Sequence, residues 1–99
     1  MKHLITQMEI YIAMDKFLFG GIYDYGRRNR IDLNDTFTFL GFDSQNVKDF
    51  AEDMRKELKL SEDYKLIANL NMSLHSFLSR NCLYINQKLT RIEECITMT

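Results

Sequence analysis

The residue best placed to do chemistry in this chain is a serine at the junction between a turn and a helix. Ser44 follows Leu40, Gly41, Phe42 and Asp43. Behind it Val47, Phe50, Ala51, Met54 and Leu58 recur at i, i+3, i+4, i+7 and i+11, which is one apolar stripe on a helix. Gly41 permits a tight turn, and Asp43 and Ser44 are both good N-cap residues. The first turn of such a helix has N–H groups without intrahelical partners and the positive end of the helix dipole, so an anion, above all a phosphate, is stabilised there. Two readings follow from these residues. Ser44 is a helix cap and nothing more, or it is a hydroxyl presented for modification by a phosphate-linked group.

The elements that must hold Ser44 follow the same pattern logic. Residues from about Leu4 to Leu18 predict a first helix, with Ile5, Met8, Ile12 and Met14 on its apolar face and Leu4, Tyr11 and Phe17 widening it. Gly20 and Gly21 end it. A long connection to Asp43 carries Ile22, Tyr23 and Tyr25 as anchors on the core, then the basic group Arg27, Arg28 and Arg30, then Leu33, Phe37, Phe39 and Leu40 returning to the interior. The arginines are either a solvated loop or a contact for phosphate or a partner. The second helix runs from about Ser44 to Leu58 or Leu60. Its outward side carries Lys48, Asp49, Glu52, Asp53, Arg55, Lys56 and Glu57, and Asp43 to Asp53 holds four acids and one base. Ser61, Glu62 and Asp63 signal a further start, giving a short helix or turn from about Glu62 to Leu66. Asn69 is expected to cap a later helix with Leu70, Leu74, Phe77 and Leu78 facing inward and Met72, His75 and Ser76 outward or marginal. Over Asn81 to Thr99, Cys82, Ile85, Leu89, Ile92 and Cys95 or Ile96 describe one more amphipathic helix, expected from about Leu83 to Ile96 and packed on its own chain; docking to a partner or dimerisation is the other use of such a face.

Taken together, the segment from Ile31 to Ser44, with Ile31-Asp32, Phe37 and Leu40-Gly41-Phe42-Asp43-Ser44, and the spacing from Ser44 to Phe50, Met54 and Leu58, resembles the modification site and second helix of acyl carrier proteins of the polyketide and fatty-acid type. The resemblance covers about residues 4 to 80 and is closest from Ile31 to Leu60. It implies an all-α fold, a four-helix acyl-carrier-like bundle with a long first loop, over residues 1–80, followed by a C-terminal amphipathic extension over 81–99. It implies a covalent 4'-phosphopantetheine arm on Ser44, with Asp43 assisting the phosphopantetheinyl transferase through the Mg²⁺ that accompanies coenzyme A. Gln45, Lys48, Asp49, Glu52 and Asp53 would face partner enzymes, which are the transferase and acyl-transferring and condensing enzymes. Val47, Phe50 and Met54 would line a gap for the acyl chain. Such a carrier makes no bonds itself, so no enzyme activity is expected. Two departures stand out: Gln45 where the family has an apolar residue, and Asn69 where it often has threonine. The alternatives are a peptidyl or aminoacyl carrier, and a helical adaptor without a prosthetic group.

Composition narrows the remaining classes. The chain has 99 residues, one domain's worth, with 45% apolar residues and no proline. A net charge of -1 gives no drive towards nucleic acid or an anionic membrane. Cys82 and Cys95 fit no metal or redox spacing and read as reduced thiols on a cytoplasmic protein, and His3 and His75 offer no ligand pattern. Gln7 and Glu9 interrupt any secretory signal, and no stretch is long enough to span a bilayer. Beginning at Met1, the chain reads as a free-standing monomer.

Overall fold

A glutamate three residues after a threonine starts the first helix. The Thr6 N–H donates to Glu9 Oε1 and the Glu9 N–H to Thr6 Oγ1, both at 3.1 Å, closing a capping box. The computed structural model describes residues 4–19 and 32–98, with side chains at all of these except 19 and 92–98. In it α1 spans Gln7–Phe19, three residues later than the apolar pattern predicts. Its buried face is Ile10, Ala13, Met14, Phe17 and Leu18. Leu4, Met8 and Ile12, expected inside, are more than half exposed. The segment is apolar nearly all round, so periodicity gave two candidate faces, and packing chose the one that includes Phe17.

The helix behind Ser44, α2 (Ser44–Glu57), forms as the stripe predicts: Val47, Phe50 and Met54 are buried, and Ala51 and Leu58 are partly so. Its C-terminus closes by the Leu60 N–H donating to the Arg55 carbonyl at 3.1 Å and the Lys59 N–H to that of Lys56 at 3.0 Å. This is a Schellman arrangement, in which the residue after the cap turns left-handed. That residue is Lys59, at φ 58°.

After Leu60 the chain does not re-enter a helix. Glu62 and Asp63 form a turn, and residues 64–69 have no regular secondary structure. The expected short third helix is therefore absent, because its backbone groups are taken from outside. Asn81 receives the Ile67 N–H at 2.7 Å and donates to the Ile67 carbonyl at 2.9 Å. Tyr84 Oη receives the Lys65 N–H at 3.0 Å, and Lys88 Nζ donates to the Asp63 carbonyl at 2.7 Å. The last helix, α3 (Leu74–Met98), starts four residues later than expected at its N-cap. Asn69 instead closes a local turn by accepting the Asn71 N–H, and Ser73 Oγ caps the helix through the Ser76 N–H, each at 3.1 Å. Met72, expected at the margin, is buried. α3 then crosses positions 80 and 81 unbroken, and Asn81 and Ile85 belong to the core, so the expected boundary between domain and extension falls inside one packed helix.

Phenylalanines from four segments meet at the centre. Phe50 lies with its ring centroid 5.5 Å from Phe37, 5.2 Å from Phe77, 5.8 Å from Phe42 and 6.4 Å from Phe17. The lead-in to Ser44 is stitched to the start of α3 by backbone bonds: Phe37 N–H to Met72, Thr38 N–H to Leu70, Leu74 N–H to Asp35 and His75 N–H to Leu33. Asn86 holds the start of the chain by a paired bond, receiving the Ile5 N–H at 2.8 Å and donating to the Ile5 carbonyl at 2.9 Å. The described residues are thus all-helical with three helices, not the four of the expected bundle. None of these helices is long and apolar enough to cross a membrane. The expected helix stop at Gly20 and Gly21, the anchors Ile22, Tyr23 and Tyr25, the arginines 27, 28 and 30, and Ile31 lie outside the described residues, as do His3 and the side chains of Ile92, Cys95 and Ile96.

Candidate functional site

Ser44 is the first residue of α2 and is exposed. The cap is Asp43, not Ser44. Asp43 Oδ1 accepts the Asn46 N–H at 2.8 Å and the Asp43 N–H donates to Asn46 Oδ1 at 3.0 Å, a reciprocal box with asparagine in the place glutamate usually takes. The Ser44 hydroxyl is therefore not needed to start the helix. Gly41, at φ 90°, makes the turn before it, a backbone conformation that a side chain would strain. The Phe42 N–H returns to the Phe37 carbonyl at 3.1 Å, and the Phe42 ring is buried 5.2 Å from that of Phe37. Ser44 thus stands on a turn fixed from both sides, two residues from the aromatic core.

The residues expected to face partners surround it. Gln45, Lys48, Asp49 and Glu52 are exposed, and Asp53 is half-buried. The Gln45 amide already has a partner: Nε2 donates to Asp49 Oδ1 at 3.0 Å. Arg55, 8% exposed, grips Glu52 through Nε at 3.1 Å and Nη2 at 2.5 Å, and donates from Nη1 to the Leu60 carbonyl at 2.7 Å. These bonds hold the Glu52 carboxyl below the usual carboxylate range. The acidic side of α2 is accordingly less charged towards solvent than its composition implies.

A groove of about 430 Å³ opens beside this helix, between Val47, Lys48, Ala51, Glu52 and Arg55 on one wall and Glu62, Tyr64, Lys65, Leu66 and Ala68 on the other. Lys48, Ala51 and Arg55 stand at i+4, i+7 and i+11 from Ser44, in one row along α2. The groove begins about one turn, roughly 6 Å of axial rise, beyond Ser44. Of the three residues expected to line an acyl gap, Val47 borders this groove. Phe50 and Met54 are wholly buried on the far side of that wall and do not line it. Pattern reasoning joined them because they share the stripe, but the stripe faces the core and the groove runs along its edge.

Tyr64, Leu66 and Ala68 were not anticipated, since they come from the stretch expected to begin a helix. A lone tyrosine in the polar run from Ser61 to Lys65 is the one local signal that could have pointed to a buried side chain there. Lys88 Nζ lies 4.5 Å from the centre of its ring and Tyr84 stacks edge-on at 6.3 Å. Tyr64 is 4% exposed, and its hydroxyl is buried with no hydrogen-bond partner among the described residues. Burial pushes that phenol above its usual range, so it stays protonated at neutral pH. Asp63 beside it is held down at about 2, by the Ser61 hydroxyl first and Lys88 second.

Elsewhere the chemistry is quiet. Cys82 is a free thiol, half-buried against Asn86 and the Ile5 carbonyl, and burial raises its pKa. Among the described residues no group of three or more histidines, cysteines or carboxylates could hold a metal ion. No family model, curated protein or solved structure matches the chain.

Proposed function

We propose that the chain is an acyl carrier, with a 4'-phosphopantetheine arm on Ser44 that holds acyl intermediates as thioesters and presents them to acyl-transferring and condensing enzymes of polyketide or fatty-acid synthesis. The observation that carries this reading is the exposed Ser44 at the start of a rigid helix, in register with a groove along the same row of α2. The residues suit such a group. The hydroxyl is free of the capping role, the first-turn amides of α2 favour a phosphate, and the groove gives an attached chain somewhere to lie. Asp43 fixes the helix start through one carboxylate oxygen and presents an exposed carboxylate to the transferase and its Mg²⁺. The arm, when attached, supplies the thiol that carries the cargo; the protein supplies position and shelter.

Incubation with coenzyme A and a broad-specificity phosphopantetheinyl transferase tests this by intact mass. One phosphopantetheinyl addition is expected, lost in Ser44→Ala. An unmodified wild type with several transferases would leave the helical adaptor as the better reading. Gln45 sharpens the test. Its amide would have to leave Asp49 to enter an apolar transferase pocket, and an unpaired buried amide costs about 1–3 kcal/mol. Gln45→Leu should therefore speed loading by a generic transferase, by roughly 5- to 150-fold at that energy. Equal loading rates would show that position 45 lies outside the contact.

A further inference from the structure

We propose that Tyr64 makes the groove beside α2 selective for an acyl chain that carries a hydrogen-bond acceptor along its length, such as a hydroxyl or keto oxygen, over a plain hydrocarbon chain. The observation is the phenol itself. Tyr64 lines the groove, its hydroxyl is closed off from solvent, and among the described residues no group takes its proton. A buried, unpartnered hydroxyl destabilises a fold, and phenylalanine at this position would avoid that. The neighbouring tyrosine shows the contrast: Tyr84, 6.3 Å away, spends its hydroxyl on the Lys65 N–H.

The rest of the groove agrees. Val47, Ala51, Leu66 and Ala68 provide an apolar lining of the kind that small-molecule clefts have, and 430 Å³ lies within their usual size. The charged residues Lys48, Glu52, Arg55, Glu62 and Lys65 complete the lining, and among these groups the phenol is the buried one that a chain without an acceptor leaves unsatisfied. The wall that must part to admit a chain to the hydroxyl is the non-helical stretch 61–68, whose Lys65 and Ile67 are exposed. Its anchors, Asn81, Tyr84 and Lys88, hold its backbone at Ile67, Lys65 and Asp63.

The inference rests on the carrier reading for the tether at Ser44 but not for the groove, and its test needs no attached arm. The N-acetylcysteamine thioesters of octanoic acid and of 3-hydroxyoctanoic acid are titrated separately into the unmodified full chain, followed by NMR of the Tyr64 ring and the Ala51 and Ala68 methyls. The hydroxylated probe should bind roughly 3- to 10-fold more tightly, as expected for one hydrogen bond. Tyr64→Phe should erase that ratio while leaving the octanoyl probe unchanged, and should raise the melting temperature of the free protein. Equal binding of the two probes, a ratio that survives Tyr64→Phe, no shift at the groove, or a lowered melting temperature would each overturn the assignment. Failure of the carrier reading shows separately, as the missing mass gain at Ser44.

Discussion

At the Ser44 end of α2 the left-handed residue is a glycine, Gly41, and the cap is a reciprocal pair of side chains. At the other end the left-handed residue is Lys59, and the helix closes by a pair of backbone bonds with the Arg55 guanidinium on the Leu60 carbonyl. Each end also borders a groove. The one at the far end, about 490 Å³, lies over Ile12, Ala13, Leu58, Ile85 and Leu89, with Lys16 and Glu57 joined at 3.0 Å on its rim. The far groove is the larger and the more apolar of the two, so neither property favours the one beside Ser44. What sets the first apart, among the described residues, is a buried hydroxyl without a partner and a helix end whose backbone is met by the residue type that suits it. The left-handed position before Ser44 carries the residue that suits it, and the one after Leu58 does not.

Substitutions test that contrast. Phe50→Ala, at the aromatic centre, should loosen both ends alike and destabilise the fold by about 3–5 kcal/mol in a denaturant titration. A loss below about 1 kcal/mol would mean that α2 is not anchored through Phe50. Asn81→Ala strips both Ile67 backbone groups of their partner and should destabilise by about 1–3 kcal/mol. Its mark is faster amide exchange at Ile67, with exchange in α1 changed less. Gly41→Ala should destabilise by about 1–2 kcal/mol, whereas Lys59→Gly should stabilise by about 0.5–1 kcal/mol. Effects of the same sign would erase the difference between the ends.

The smallest effect is one of pH. The Asp63 carboxyl is lowered in the fold to about 2 from the usual carboxylate range, so its contribution is present near neutrality and is lost as pH falls through about 4 towards 2. Lys88 Nζ, 3.0 Å from Asp63 Oδ2, loses its charged partner over that window. Exchange at Lys65 and Ile67 should quicken there in wild type, and be fast but pH-insensitive in Asp63→Asn once intrinsic rates are divided out. Because Asp63 is exposed, a small change is expected.

Position along the chain decided what could be read from the sequence. The stripe from Val47 to Leu58 predicted α2 and its inward face, since one side is apolar and the other charged. α1 offered no such contrast, and the wrong face was chosen at Met8 and Ile12. The stretch 61–68 could not be read locally, because Asn81, Tyr84 and Lys88 fix it from 14 to 25 residues away. The same distance hid the groove's second wall and Tyr64 with it. The late start of α3 is a competition of the same kind: Leu70 and Met72 give their carbonyls to Thr38 and Phe37, so the helix waits for Ser73.

The paired bond between Asn86 and Ile5 joins residues 81 apart in sequence. Closing a loop of that length has an entropic cost that grows only slowly with its size, but contacts so remote in sequence slow folding. The docking of the chain's first residues must therefore wait until α3 exists. α2, residues 32–43 before it and residues 58–73 after it have nearer partners and can assemble first, around Phe37, Phe50 and Phe77. In a polypeptide emerging from the ribosome, this order leaves α1 without its α3 seat until residue 86 has left the exit tunnel, so truncation before that point should yield a chain in which Ser44 is already presented while α1 is open to proteases.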